Sequence, residues 1–395
     1  MDYSYLLYLA IILLSTKLLG LFSRRIKLPQ VVGALLAGLV LGPACLNLLK
    51  ETEFLKQLAE IGVIVLMYMA GLETDVNELK KSGKASLLIA TIGVLVPLVG
   101  GFAIANLFNE GDASLSSSIT MQNVFIGIVL TATSVSITVE TLKELGKLST
   151  PAGTAILGAA VIDDILGIVA LTIVISLADG KTSIAAVLLK IVAFFIFALV
   201  LSFFFEKASK YEAKLWPKHL QRDVILSFVF CLFLSFCAEE FFGVADITGA
   251  FIAGLATSFS PKRDYVNERF SHLSYMLVGP VFFANIGLNV VIPSMSGKLI
   301  LFTFILLIIA ILTKIIGCGL GAKLCKYSNR EALQIGVGMI SRGEVALIVA
   351  NKGAAVGLMS DTYFGPIVIM VIITTIITPI LLKLVFKDSK KPQNA

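Results

Sequence analysis

Two adjacent carboxyl groups, Asp163 and Asp164, stand roughly halfway along an apolar run, Gly158-Ala-Ala-Val-Ile-Asp163-Asp164-Ile-Leu-Gly167. In lipid, each aspartate at mid-depth costs about 2.5 to 3.5 kcal/mol on insertion scales, so a pair needs partners or water. Carboxylates at such a place can hold a hard cation or carry a proton. Successive positions on a helix differ by about 100° around its axis. The two groups therefore diverge, and one can meet a protein partner while the other faces a cavity.

Three further groups of residues bear on that chemistry. Lys314 lies mid-span in Ile-Leu-Thr-Lys-Ile-Ile-Gly-Cys-Gly-Leu-Gly, too deep to reach the membrane surface, and its assignment is an ion pair with Asp163. Thr131, Thr133, Ser134 and Ser136 place four hydroxyls in six residues, with Thr138 close behind; they can satisfy backbone freed by a broken helix and add oxygen ligands for a hard cation. Ordinary helix contacts are the alternative for such a cluster. The run Ser341-Arg342-Gly343-Glu344 puts a glycine between opposite charges near the membrane interior and reads as a structural salt bridge at a helix break. Glu73 and Asp75 are either a funnel for cations or solvated loop charges.

The elements that must position these residues are membrane spans. Of 395 residues 57% are hydrophobic and 15% charged, so the chain needs lipid as its solvent. About 13 apolar segments, each near the roughly 20 residues that cross a bilayer, follow one another over 4–23, 29–47, 58–73, 85–108, 122–140, 150–178 and 183–205, then 220–242, 244–260, 272–291, 298–322, 330–350 and 362–386. They leave no room for a soluble catalytic, nucleotide-binding or regulatory domain. The net charge of +6 comes from short loops and forms no continuous patch, which argues against nucleic acid.

Assigning the loops alternately to two sides gives 23 Lys and Arg on one and 5 on the other, which also holds the acidic pairs Glu110/Asp112 and Glu239/Glu240 with Asp246. Positive charge is retained in the cytoplasm, so the N-terminus is expected outside and the C-terminus inside. An odd number of spans preserves the asymmetry. The first span lacks a basic leader and a cleavage site and should stay in place. Cys45, Cys231, Cys237, Cys318 and Cys325 have no metal-ligand spacing and read as packing residues.

Gly33-Ala-Leu-Leu-Ala-Gly38 recurs 216 residues later as Gly249-Ala-Phe-Ile-Ala-Gly254, and Gly71-Leu72 recurs at the same offset as Gly287-Leu288. Spans two and nine run in opposite directions, so the copies are inverted: spans 1–6 (about 4–178) and 8–13 (about 220–386), joined by span 7 (about 183–205). Inverted repeats point to a secondary transporter with its substrate near the bilayer midplane.

Thr131 to Ser136, Val161-Ile-Asp163-Asp164 and Ser341-Arg342-Gly343-Glu344 together resemble the bacterial monovalent cation:proton antiporter-2 family, notably its sodium/proton antiporters, over essentially the whole chain. The resemblance implies an all-α inverted-repeat fold in which spans five and twelve are unwound and cross, and a homodimer with separate core and dimerisation domains. It assigns Asp164 as the main cation and proton carboxylate, with Asp163 paired to Lys314. On this reading Thr131, Thr133 and Ser134 supply oxygens to a cation bound at Asp164. The protein is expected in the cytoplasmic membrane, with Na+ or Li+ and H+ as substrates and no cofactor. K+/H+ exchange and a non-transporting sensor on the same fold remain alternatives. An intramembrane aspartyl protease needs carboxyls that converge, and these diverge; a channel needs a repeated filter, yet the position 216 beyond Asp163 is Pro379.

Overall fold

The computed structural model describes residues 3–25, 28–74, 76–109, 115, 117–179, 184–215, 220–290 and 295–387, and all regular structure among them is helical. Asp75, Glu110, Asp112, Lys27, Lys181, Lys218, Lys390 and Lys391 lie outside the described residues, as do the side chains of Glu344, Lys214 and Lys352. The first half comprises α1 (Ser4–Arg25), α2 (Gln30–Leu41), α3 (Glu53–Glu73), α4 (Val76–Phe108), α5 (Ile119–Val129), α6 (Val135–Glu144) and α7 (Pro151–Asp179). After the long α8 (Ile184–Leu215) come α9 (Leu220–Cys237), α10 (Asp246–Thr257), α11 (Arg263–Leu273), α12 (Gly279–Leu288), α13 (Gly297–Leu324), α14 (Asn329–Gly338), α15 (Glu344–Ala355) and α16 (Phe364–Phe386). A single π turn, Ala238–Phe242, extends α9, and another, Ser274–Val278, joins α11 to α12.

Nine segments among the described residues are long and apolar enough to cross a membrane: α1, α3, α4, α7, α8, α9 with its π turn, α11 continuous with α12, α13 and α16. The other four expected spans depart from straight rods. Spans two and nine are the 12-residue helices α2 and α10, each about 18 Å long. The helix expected over 29–47 stops at Leu41 because Gly42-Pro43 follows; Gly42 N–H closes on Gly38 and Leu49 N–H turns back to Leu41. Spans five and twelve are each two half-helices, α5 with α6 and α14 with α15, broken at residues 130–134 and 339–343.

The 216-residue offset seen in the sequence is also an offset between contacts. α2 packs on α1 and α12, and α10 packs on α9 and α3. A side chain at Gly38 would sit 1.9 Å from the Ala284 carbonyl oxygen, and one at Gly254 2.0 Å from that of Tyr68, 216 residues before Ala284. Gly71 likewise abuts the Phe251 carbonyl and Gly287 that of Leu35. Only a residue without Cβ lets these helices meet backbone to backbone.

A group of helices assembles around the two breaks. α13 lies along α4, and α4 also packs on α5 and α7; α14 packs on α13 and α16. This places the midpoints of α7 and α13 beside both breaks. Cys231, Cys237 and Cys318 are buried as packing residues, whereas Cys45 is exposed and Cys325 half-buried at a helix end.

Candidate ion site at the helix crossing

A helix broken within lipid frees backbone groups that water cannot reach, and these must find partners. Here the two breaks satisfy each other. Ser134 N–H donates to the Ser341 carbonyl at 2.7 Å, and the Ser341 hydroxyl donates to the Ser134 carbonyl at 2.7 Å. Thr138 Oγ1 donates to the Gly338 carbonyl at 2.7 Å and lies 2.9 Å from Ser341 Oγ. The Thr131 hydroxyl reaches back to the Ile128 carbonyl at 2.7 Å, capping the end of α5. Gly343 permits the approach, since a Cβ there would stand 2.7 Å from Ser134 Oγ. The hydroxyl-rich sequence thus serves the break first.

Arg342 is fully buried among carbonyls. Nη1 donates to Ile340 O at 2.8 Å, and Nη2 to Leu130 O at 2.8 Å and Ala310 O at 3.0 Å. Leu130 caps α5 and Ile340 follows the end of α14, so one guanidinium meets the negative ends of both half-helices where they face each other. It also ties them to α13, one turn before Lys314. The Thr375 hydroxyl of α16 donates to the Arg342 carbonyl. The salt bridge expected at this break involves Glu344, whose side chain lies outside the described residues; what the structure describes of Arg342 is its carbonyl contacts.

Asp163 and Lys314 form the expected pair. Both are buried, and Lys314 Nζ lies 3.1 Å from Asp163 Oδ1 and 3.2 Å from Oδ2, so the ammonium faces both oxygens. Thr133 adjoins the Asp163 carboxyl, yet its buried hydroxyl closes no hydrogen bond and keeps oxygen capacity for a ligand. Asp164, turned away along α7, is half-buried, and among the described residues no hydrogen bond or ion pair reaches it. Two carboxyls adjacent in sequence are therefore given opposite circumstances, one locked and one open.

Of the other expected site residues, Thr131 and Ser134 are buried in the break itself, with Ser134 Oγ 3.4 Å from Ser136 Oγ. Glu73 is no free funnel charge, because it pairs with Lys143 at 3.0 Å. The reading of single residues gave little weight to Thr138 and did not find Thr375, whose hydroxyls hold the crossing; the density of Thr in α6 and α16 is the signal that could have revealed them. It also missed Glu144, whose two oxygens accept from the first amides of α2, Gln30 N–H at 2.7 Å and Val31 N–H at 3.1 Å.

The model of the transmembrane sodium/hydrogen exchanger family matches residues 10–388. A Na+/H+-K+ antiporter of Bacillus cereus, GerN, is 40% identical over 398 residues, covering 100% of each chain. A Na+/H+ antiporter of Enterococcus hirae is 38% identical, covering 95% of this chain and 96% of its own. The solved structure of the sodium proton antiporter MjNhaP1 of Methanocaldococcus jannaschii covers 95% of both chains with a TM-score of 0.66 at 18% identity, a likeness of fold.

Proposed function

The chain belongs to the sodium/hydrogen exchanger family, and from that premise we propose that it exchanges a monovalent cation, Na+ or Li+, for protons at Asp164. The observation that carries this reading is the division of labour within the carboxyl pair: Asp163 is held by Lys314, whereas Asp164 is half-buried with no protein partner among the described residues. A carboxylate without a fixed counter-ion can take either a proton or a cation. Because one site accepts both, binding of one expels the other, and exchange is obligatory. The bare carboxylate is the expensive species to move through an apolar barrier, at about 2.5 to 3.5 kcal/mol. Only the protonated or cation-loaded form crosses readily.

The broken helices supply the rest of the site. Thr133, with its unpartnered hydroxyl beside the pair, is the leading neutral oxygen ligand, flanked by Thr131 in the turn that closes α5 and by Ser134 in extended backbone before α6. Arg342 and the pair of Asp163 with Lys314 fix the crossing so that the ligand oxygens stay in register. Releasing Lys314 from Asp163 during a cycle by uptake of a proton from one side and its loss to the other adds a second proton to the exchange.

The matching contacts at the 216-residue offset support a duplicated, inverted architecture of spans 1–6 and 8–13 around span 7. The loop charges support a cytoplasmic membrane protein with its N-terminus outside. A homodimer, transport without enzymatic chemistry and no cofactor complete the reading. One specific observation favours K+ as a further substrate: the name of the Bacillus cereus relative includes it.

Proteoliposomes with a trapped pH dye and an imposed proton gradient test the proposal on addition of Na+, Li+, K+ or choline. Wild type should dissipate the gradient with Na+ or Li+, and Asp164→Asn should not. An unaffected mutant, or no cation-dependent flux in wild type, overturns it; a response to K+ extends the substrate range.

A further inference from the structure

A cavity of about 230 Å³ lies where α9 turns into α10, lined by Ser235, Glu239, Glu240, Asp246 and Ile64 of α3, among others. Its walls bring three carboxylates together, and among the described residues none of the three has a cationic partner. The π turn Ala238–Phe242 builds this arrangement. Its extra residue ends α9 at left-handed Gly243 (φ 64°), and Val244 N–H closes on Ala238 O at 2.9 Å, folding Glu239 and Glu240 back beside the start of α10. Asp246 spends one oxygen on its neighbour, accepting from Ile247 N–H at 2.7 Å, and is half-buried.

A second observation points to an occupant. Ser235, one of the lining residues, is almost fully buried at 1% exposure, and its hydroxyl has no hydrogen-bond partner. A buried hydroxyl left open beside three uncompensated carboxylates provides oxygen donors and negative potential with nothing to neutralise them. That donor set suits a hard monovalent cation, hydrated or partly so, and repels anions. Asp246 is also within electrostatic reach of Asp164, and Glu60 of α3 is within reach of Asp246.

We propose that Asp246, Glu239, Glu240 and Ser235 form a staging site for the transported cation, on the membrane face opposite the basic loops, from which it passes to Asp164. The inference rests on the antiport reading for its direction and deepens it by naming one entrance. The staging site concentrates cations near the transport carboxylate and lowers the concentration needed to load it, without taking part in the exchange itself.

Two measurements test this and separate it from the antiport reading. In vesicles of each orientation, Asp246→Asn should raise the Na+ half-saturation about tenfold when Na+ is supplied from the α9–α10 face, with the loss confined to that face. Glu239→Gln, at an exposed position, should move it in the same direction by about threefold, and Asp246→Glu should restore it. A shift equal from both faces, or none in either variant, overturns the staging site. The second measurement needs no transport: equilibrium binding of radioactive sodium to detergent-solubilised protein. Asp164→Asn should keep a weak occupancy that Asp164→Asn with Asp246→Asn loses. Equal binding by the two overturns the site even where wild type exchanges normally, whereas occupancy lost with Asp246 when wild type itself exchanges nothing sustains the site and defeats the antiport reading.

Discussion

Removing either member of the Asp163 and Lys314 pair should destabilise the protein, and the two losses should depend on pH in opposite directions. The side chains are 1% and 0% exposed and 3.1 Å apart, so at an effective dielectric of about 20 their attraction is about 5 kcal/mol. Breaking a buried pair by removing one partner typically costs about 3 to 5 kcal/mol, because a charge is left behind. That loss has a ceiling, since the orphaned group can be neutralised. For an aspartate the ceiling is about 5.6 kcal/mol at pH 8 and about 1.5 kcal/mol at pH 5; for a lysine it is about 3.3 kcal/mol at pH 8 and about 7 kcal/mol at pH 5. Lys314→Met, which leaves the carboxyl, should therefore be the worse variant at pH 8 and recover on acidification. Asp163→Asn, which leaves the ammonium, should be the worse at pH 5 and improve as pH rises. A loss of about 4 kcal/mol lowers Tm by roughly 5 °C in a chain of this length. Thermal unfolding in detergent at the two pH values, read by loss of the monodisperse peak, measures both. The double variant, neutral and close in volume, should recover most of the loss. The same order of the two single variants at both pH values, or strictly additive losses, would refute a desolvated ionic pair.

Two more outcomes follow from the same coordinates. Arg342→Met removes three carbonyl partners at 2.8 to 3.0 Å and should cost about 4 kcal/mol or more, with Arg342→Lys recovering only part because a single ammonium cannot span them; thermal unfolding of the two variants checks the order. Gly38→Ala and Gly254→Ala put a methyl about 2 Å from a carbonyl oxygen and should sharply reduce folded protein, while Gly167→Ala, with nothing within 4 Å, should be tolerated; size-exclusion yield tells them apart.

Some of this protein was settled by local chemistry. Apolar length and loop charge needed no tertiary information, because insertion into lipid is decided segment by segment. The pairing of Asp163 with Lys314 was legible for a related reason: two opposite charges at mid-depth, with no water to screen them, have few other partners. The motif recurring at an offset of 216 residues was visible because Gly38 and Gly254 sit where helix backbones touch, and no other residue fits there. Other features depended on which segments meet. Asp163 and Asp164 are chemically identical, and only the side of α7 that faces α13 makes one locked and the other open. The carbonyls that surround Arg342 could not be read from its neighbours in sequence, because the facing ends of α5 and α14 come together only once the breaks cross. Nor could local sequence separate Glu73, taken up by Lys143, from Glu239 and Asp246, which have no such partner among the described residues. The identity of a charged residue is written in the chain, but its counter-ion is chosen by packing, because electrostatic attraction in a low-dielectric interior acts between whichever groups the helices bring within a few ångströms.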